Sequence, residues 1–351
     1  MIRFEIGVAD LAASRFAFSP LDETVMAIRL LAQPGKSAVN APWVRWAQAE
    51  LASRPQPLGR VWPLLINGLP YYPEFLIPAP AVRCPAFDTE LDRLRATPAE
   101  AVRASLGRVF GGVTWPASAV ELAARPAPSL AEIAAELAGF HDRLVAPHWE
   151  RMRAVLDADV AYRGRLLADG GARALLHDLH SDLHWDEGVL TISEPDPRFH
   201  EVVLGPDGVV IMPSVFGWPD VSVRKETSTQ TTLHYPARGA ATVWYADGGT
   251  AGTGGTAPDP GAAATAELLG TVRARLLSAL RSPATTTALA RGFGVTPGAV
   301  SQHLSVLHRA GLADRTRTGR TVLYQATDLG LALLDPPRPV PSKHWPGAAA
   351  D

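Results

Sequence analysis

Residues 247–261 read DGGTAGTGGTAPDPG. A run of Gly, Thr, Ala and Pro without one large apolar side chain has nothing to bury, and such composition belongs to flexible linkers. It divides the chain into an N-terminal domain, residues 1–246, and a C-terminal domain, residues 262–334, which must build their cores separately. A Pro-rich tail, DPPRPVPSKHWPGAAAD at 335–351, follows and is expected to be disordered. The glycines at 247–261 do not make a phosphate loop, because no Gly-Lys-Ser/Thr follows them.

Charge is split along the same boundary. Residues 261–334 hold eight Arg against three acidic residues, a net of +5, whereas residues 1–260 hold 23 basic and 30 acidic residues, a net of −7. A basic module on an acidic body is the pattern of a chain in which only the module meets a polyanion. The single cysteine, Cys84, excludes an intramolecular disulfide and any multi-cysteine metal site. The first residues, MIRFEIGVADLAASRF, lack the apolar core of a signal peptide, and no run of eighteen apolar residues occurs. The expectation is a soluble, cytoplasmic protein with no membrane partner.

The fold class expected is α+β: a mainly helical N-terminal domain with a small antiparallel sheet, plus a C-terminal winged helix-turn-helix domain. LDETVMAIRLLA (21–32) repeats apolar residues at helical spacing behind Ser19-Pro20. SLAEIAAELAGFHDRLVAPHWERMRAVLDADV (129–160) reads as helix, with Ser129 and Glu132 as a capping box and a break at Pro147. From Gly188 the pattern turns to short β-branched runs: VLTI (189–192), EVVLGPDGVVIMPSVF (201–216), DVSVR (220–224), TTLHYPARG (231–239) and ATVWYA (241–246). Pro-Asp-Gly at 206–208 reads as a hairpin turn between two of them.

The C-terminal domain carries the sharpest signals. TAELLGTVRARLLSALRSP reads as one amphipathic helix, with Leu268, Leu269, Val272, Leu276, Leu277 and Leu280 on its apolar face. In TTTALARGFGV a threonine among 285–287 caps a short helix that Gly294 ends in the left-handed conformation. In TPGAVSQHLSVLHRAGL, Thr296 caps and Pro297 opens a second helix. Its Val300, Leu304 and Leu307 point inward, Gly298, Ser301, Gln302 and Ser305 point outward, and Gly311 stops it. Two short helices joined at a glycine behind a scaffold helix make a helix-turn-helix. LADRTRTGRTVLYQAT (312–327) alternates on either side of Thr318-Gly319, a hairpin wing that places Arg315, Arg317 and Arg320 to meet phosphates or the minor groove. Small polar residues on the second helix suit close approach to base edges, with Gln302 matched to adenine and Ser301 to a backbone oxygen.

The stretch TTTALARGFGVTPGAVSQHLSVLHRAGLADRTRTGRTVLYQAT resembles the ArsR-type winged helix of bacterial repressors: V-S-x-H-L-x-V-L-x-x-A-G-L, then an Arg-Gly-Arg wing. The resemblance implies a recognition helix at 297–309, a homodimer and an operator of double-stranded DNA; His303 matches a histidine typical of the family. RFAFSPLDETVMAIRLLAQP, APWVRWA, YYPEFLIPAP and IMPSVFGWPDV…LHYPARG resemble the long N-terminal domain, of unassigned role, found in a group of actinobacterial ArsR-type regulators. The metal sites usual in that family have no counterpart here: TTALARGFG holds no Cys, His or carboxylate, and TDLGLALLDPP offers only Asp328 and Asp335. The candidate DNA-contacting residues are Thr296, Gly298, Ser301, Gln302, His303, Ser305, Arg309, Arg315, Arg317 and Arg320.

A rival constellation is HDLHSDLHWDEG, residues 177–188, whose His177, His180 and His184 would share one helix face. Two helical turns are too long a span for one ion to touch all three. His180 and His184 with Asp186 or Glu187 remain a chelating option, against a buried stripe of Leu176, Leu179 and Leu183 with the histidines on the wet side. Cys84 between Arg83 and Pro85 reads as a thiol of depressed pKa or as core filler. Trp43, Trp46, Trp62, Tyr71, Tyr72 and Phe75 line a pocket or pack a core. No Gly-x-Ser-x-Gly elbow occurs. The reading is a homodimeric DNA-binding transcription regulator of repressor type, not an enzyme, without metal or cofactor and with room for a small-molecule effector in the N-terminal domain. The alternative is a catalytic, metal-dependent N-terminal body with the winged helix as an accessory.

Overall fold

The computed structural model describes residues 2–34, 36–37, 39–69, 71–180, 182–193, 200–202, 204–217, 219–224, 230–244, 260–280, 284–318 and 321–334. The chain forms two compact units, Met1–Gly249 with Arg291–Gly294, and Thr250–Ala290 with Val295–Asp351. Of the linker expected at 247–261, residues 247–259 lie outside the described residues, and Pro260 and Gly261 already open a helix. The tail expected at 335–351 also lies outside them.

The N-terminal unit runs β1 (Ile2–Glu5), α1 (Val8–Ala13), β2 (Arg15–Phe16), α2 (Pro20–Ala32), α3 (Ala41–Ser53), α4 (Trp62–Leu65), α5 (Phe87–Arg95) and α6 (Ala99–Phe110). It continues through α7 (Ala117–Ala124), α8 (Pro126–Phe140) and α9 (Trp149–Leu179). Six strands follow: β3 (Leu183–Asp186), β4 (Val189–Ile192), β5 (His200–Val202), β6 (Val209–Ser214), β7 (Ser222–Arg224) and β8 (Thr231–Pro236). Helices therefore precede most of the strands, as the α+β reading requires.

The strands form two four-stranded sheets, β3-β4-β1-β5 and β2-β6-β8-β7. The pairs β3–β4, β1–β4 and β7–β8 are antiparallel, whereas β1–β5, β2–β6 and β6–β8 are parallel. The first sixteen residues thus supply one strand to each sheet. Pro-Asp-Gly at 206–208 is no hairpin: β5 and β6, on either side of it, belong to different sheets. β6 and β8 are buried along their whole length, so both read as runs without polar alternation. Of ATVWYA, residues 241–244 are not a strand either, and residues 245–246 lie outside the described residues. Gly239, at φ +82°, starts a 3-10 turn at Ala240–Trp244, and the Trp244 indole donates to Asn40 Oδ1 at 2.7 Å.

Two further expectations shift by a turn or a residue. Pro126 begins α8 one turn before Ser129, whose own N–H donates to the Arg125 carbonyl at 3.2 Å. Ser129 is therefore helix interior and the expected capping box is absent. The break near Pro147 is present, as a π turn at His141–Val145 followed by a 3-10 turn at Ala146–His148. α9 breaks again at Gly171, whose φ of 67° is open to glycine at little cost. Its last turns bury Leu175, Leu176 and Leu179 against Ile2, Phe4, Leu190 and Ile192 of the first sheet. Arg163, 1 % exposed, ties the two segments by donating to the Asp178 carbonyl at 2.7 Å and to its carboxylate. It also lies 3.6 Å from Asp159.

Helix α2 starts as expected, with Ser19 Oγ accepting from Asp22 N–H at 2.9 Å. Ser19 Oγ donates in turn to Glu90 Oε2 at 2.8 Å, and Leu21 N–H donates to the same oxygen at 3.1 Å. The helix is buried on almost every side, carboxylates included. Asp22 meets Arg224 at 2.7 Å and His234 Nδ1 at 3.2 Å. Glu23 accepts the N–H groups of Val215 and Phe216 at 2.9 and 3.1 Å. Burial opposes ionisation of Asp22, yet the Arg224 guanidinium and His234 hold its pKa below the usual carboxylate range. Burial and the neighbouring Asp22 charge push Glu23 up to about 8, and burial pushes Glu90 up to about 7.

Because the Asp22 pKa falls on folding, its stabilising contribution is complete above its ordinary value of 3.8 and is lost as the pH drops below it. Asp22→Asn strands Arg224 without that carboxylate and is expected to cost about 3–5 kcal/mol at neutral pH. Its stability should fall less steeply than the wild type's below about pH 4. Urea unfolding at neutral and acid pH measures both, and a parallel acid limb in the two proteins contradicts the assignment.

Candidate nucleic-acid interface

From Pro260 on, the chain runs α10 (Pro260–Leu269), α11 (Thr271–Ala279), β9 (Ala284–Thr285), α12 (Thr286–Phe293), α13 (Pro297–Arg309), β10 (Ala313–Thr318), β11 (Thr321–Ala326) and α14 (Asp328–Leu334). The single amphipathic helix expected over this first stretch is two helices. Gly270, at φ +80°, separates α10 from α11, and the apolar face is only partly core. Leu276, Leu277 and Leu280 are buried, but Leu268 is 71 % and Val272 48 % exposed.

The two helices of the helix-turn-helix are set by short-range chemistry. Thr285 Oγ1 accepts from Ala288 N–H at 3.0 Å and caps α12. Gly294, at φ +67°, ends it, with Val295 N–H donating to the Ala290 carbonyl at 3.0 Å. Thr296 Oγ1 then accepts from Ala299 N–H at 3.3 Å and caps α13 ahead of Pro297. At the far end Gly311, φ +71°, lets Leu312 N–H reach the Leu307 carbonyl at 2.9 Å and its own N–H reach the His308 carbonyl at 3.0 Å.

Val300, Leu304 and Leu307 are buried, as their spacing implied. Gly298, Ser301, Gln302, Ser305 and Arg309 are exposed, and at 3.6 residues per turn they fall within an arc of about 100°. A Cβ added at Gly298 meets nothing within 4 Å, so this end of the arc stands open. Helix α13 contains no Asp or Glu. His303 does not join the arc: it is half-buried and lies roughly 150° round from the arc's middle, beside the packed face. Thr296 is exposed at the helix start with its hydroxyl engaged as cap.

β10 and β11 pair antiparallel with Ala313 opposite Ala326, Arg315 opposite Tyr324 and Arg317 opposite Val322, and β9 completes the sheet against β11. Arg315 and Arg317 are both exposed, and their i, i+2 spacing puts them on one face of the hairpin. Arg320 lies outside the described residues. The root of the hairpin is fastened on both legs. Thr327 Oγ1 donates to the Gly311 carbonyl at 2.6 Å and Thr327 N–H to the Leu312 carbonyl at 3.1 Å. His308 Nδ1 lies 2.8 Å from the Ala313 carbonyl; a carbonyl only accepts, so Nδ1 carries the proton. Neither His308 nor Thr327 stands out in the sequence, because each acts through a backbone oxygen that no motif encodes.

The histidine stretch is a helix-to-strand junction. α9 ends at Leu179, so His184 lies on β3 and the three histidines share no helix face. Leu176, Leu179 and Leu183 are buried together, Leu183 from the strand. His177 and His184 are exposed. His180 Nε2 donates to the Pro219 carbonyl at 2.8 Å while Nδ1 accepts from Asp182 N–H at 3.2 Å, which occupies both ring nitrogens. Among the described residues no group of three or more His, Cys, Asp or Glu is placed to hold a metal ion. Burial pushes the Cys84 thiol up rather than down. The six aromatic residues named above do not all meet: Trp43 and Phe75 are core and Trp62 and Tyr71 are exposed, while Trp43 packs with Phe216 and Trp244, and Trp46 reaches Trp244 through His148. No helix among the described residues is long and apolar enough to cross a membrane.

Residues 271–316 match a family model described as a helix-turn-helix domain, and residues 116–241 match a family of unknown function (DUF5937). No curated protein and no solved structure matches the chain. The two matches fit the ArsR-type resemblance, a DNA-binding module behind a long domain of unassigned role. The helix-turn-helix match stops inside β10, so most of the wing lies beyond it, and the other match begins only at α7. The C-terminal unit is a helix-turn-helix domain, and the chain is in class a DNA-binding transcription regulator.

Thr296→Ala removes a cap hydroxyl from the start of α13 and should lower the stability of the module by about 1 kcal/mol. Thr296→Ser should retain most of it. Thermal unfolding of the two variants checks this, and equal losses contradict the capping role.

Proposed function

We propose that the chain is a homodimeric repressor that reads an inverted-repeat operator through α13 and the β10–β11 wing. The observation that carries the reading is the exposed arc Gly298, Ser301, Gln302, Ser305 and Arg309 on a helix without a single carboxylate. Ser, Gln and Arg can address base edges and phosphates, and Gly298 leaves room for the backbone to approach. Arg315, Arg317 and, from the sequence, Arg320 supply phosphate or minor-groove contacts. Two recognition helices in successive major grooves require half-sites about one helical turn, roughly 34 Å, apart.

The dimer reading is supported by exposed apolar side chains on helices that pack together. α14 packs against α10 and α11, and Leu268, Val272 and Leu329 leave 71 %, 48 % and 61 % of their surface exposed. A second copy is the partner whose matching helices would cover them. Sensing of a small-molecule effector is assigned to the N-terminal domain, in a regulatory and not a catalytic role, since the module lacks the family's usual metal ligands. Such an effector acts only through different affinities for the DNA-competent and incompetent states.

Selection from a pool of random duplexes, followed by gel shift at low and moderate salt, tests the assignment. The selected sequences should be inverted repeats. Gln302→Ala should relax preference at one base pair per half-site by about 1–3 kcal/mol. Gly298→Ala, which the chain itself accommodates, should weaken DNA binding without loss of thermal stability. No selected sequence, or unchanged binding after Gln302→Ala with Arg317→Ala, overturns the reading. Leu268→Asp with Leu329→Asp should convert a dimer to a monomer in sedimentation, and an unchanged mass overturns the interface.

A further inference from the structure

We infer that His308 is a positioning residue that sets the angle of the wing to the recognition helix, so that the wing arginines reach DNA only while its bond to Ala313 is intact. The inference rests on the DNA-reading assignment and adds to it a residue outside the contacting set. His308 sits in the last turn of α13, and its ring is half-buried. Its Nδ1–H spans the Gly311 turn to the carbonyl of the first wing residue at 2.8 Å. The link joins the element that carries Gln302 to the strand that carries Arg315 and Arg317.

Geometry makes this short bond matter at a distance. Arg315 and Arg317 lie two and four residues beyond Ala313, which at about 3.4 Å per residue places them roughly 7 and 14 Å out along the strand. A rotation of about 10° at the root moves the second by roughly 2 Å, more than a charge-assisted hydrogen bond tolerates. Thr327 holds the turn from the returning strand by bonds to Gly311 and Leu312. Ala313, the first residue of the outgoing strand, takes its side-chain bond from His308. β10 is the edge of the sheet β10-β11-β9, so on its outer side it has no further strand to keep it in line.

The test compares His308→Ala, His308→Asn and His308→Gln in the full chain, with the duplex that the wild type selects from the random pool. An Asn side chain presents its N–H₂ where His Nδ1 stands, and a Gln side chain presents it where Nε2 stands. His308→Asn should bind like the wild type. His308→Ala and His308→Gln should bind about three- to tenfold more weakly, the equivalent of one net hydrogen bond. For each wing arginine that no longer reaches its phosphate, the slope of log affinity against log salt should fall by about 0.9. With both arginines displaced, the slope should match that of Arg315→Ala with Arg317→Ala. In that double-alanine background His308→Ala should have no further effect. Additive weakening there, an unchanged salt slope, or equal weakening by Asn and Gln overturns the inference while wild-type binding stands. A wild type that selects no duplex overturns the DNA reading and this inference with it.

Discussion

Neighbouring carboxylates on one buried helix hold the N-terminal unit in register. Asp22 and Glu23 sit side by side on α2, yet they reach different parts of the same sheet, Asp22 to β7 and β8 and Glu23 to the backbone that follows β6. Neither can leave its partner without exposing a charge or an N–H group to a dry interior. Glu90 closes the arrangement at the helix start by accepting from Ser19 and Leu21. An apolar helix of the same volume could slide or rotate against the sheet. This one cannot, because its polar atoms meet their partners in this register alone.

The C-terminal unit obtains its definition by other means. Its core is mainly aliphatic, with Leu276, Leu277, Leu280, Leu289, Val300, Leu304 and Leu307 among its buried residues, and its angles are set at turns. Gly294 and Gly311 end the two helices in the left-handed region, and Thr285 and Thr296 start them. Each of these devices satisfies orphan backbone groups within a few residues of itself. The polar arc of α13 inherits its geometry from them.

That contrast explains how much of the molecule is legible in its residues. The caps at Ser19 and Thr296, the stops at Gly294 and Gly311 and the burial of Val300, Leu304 and Leu307 depend on neighbours three to five residues away and can be read, whereas Ser129 reads as a cap it does not form and the break at Gly270 goes unread. The break at Pro147 can be read too. Strand pairing depends on residues far off in the chain. Nothing in MIRFEIGVADLAASRF shows that Ile2 pairs with Ile192 while Arg15 pairs with Val210. Pro-Asp-Gly specifies a turn and leaves its partner sheets unspecified. ATVWYA has the residue types of a strand, but in its first four residues Trp244 packs against Phe216 and bonds to Asn40 from a 3-10 turn. The arc on α13 is largely visible in the sequence, whereas His303, named from family likeness alone, is half-buried and lies off the arc. His308 stays hidden because its partner is a carbonyl.

The glycine between α10 and α11 has a consequence for dosage. By breaking what would have been one continuous helix it leaves Leu268 and Val272 turned to solvent near the exposed Leu329 helix. A chain that covers those side chains only against a second copy occupies a two-half-site operator in proportion to the square of its concentration while monomers predominate and the operator is mostly free. Halving the number of copies in a cell then cuts occupancy fourfold. A regulator built this way responds to its own abundance more sharply than any single binding site could, with no ligand involved.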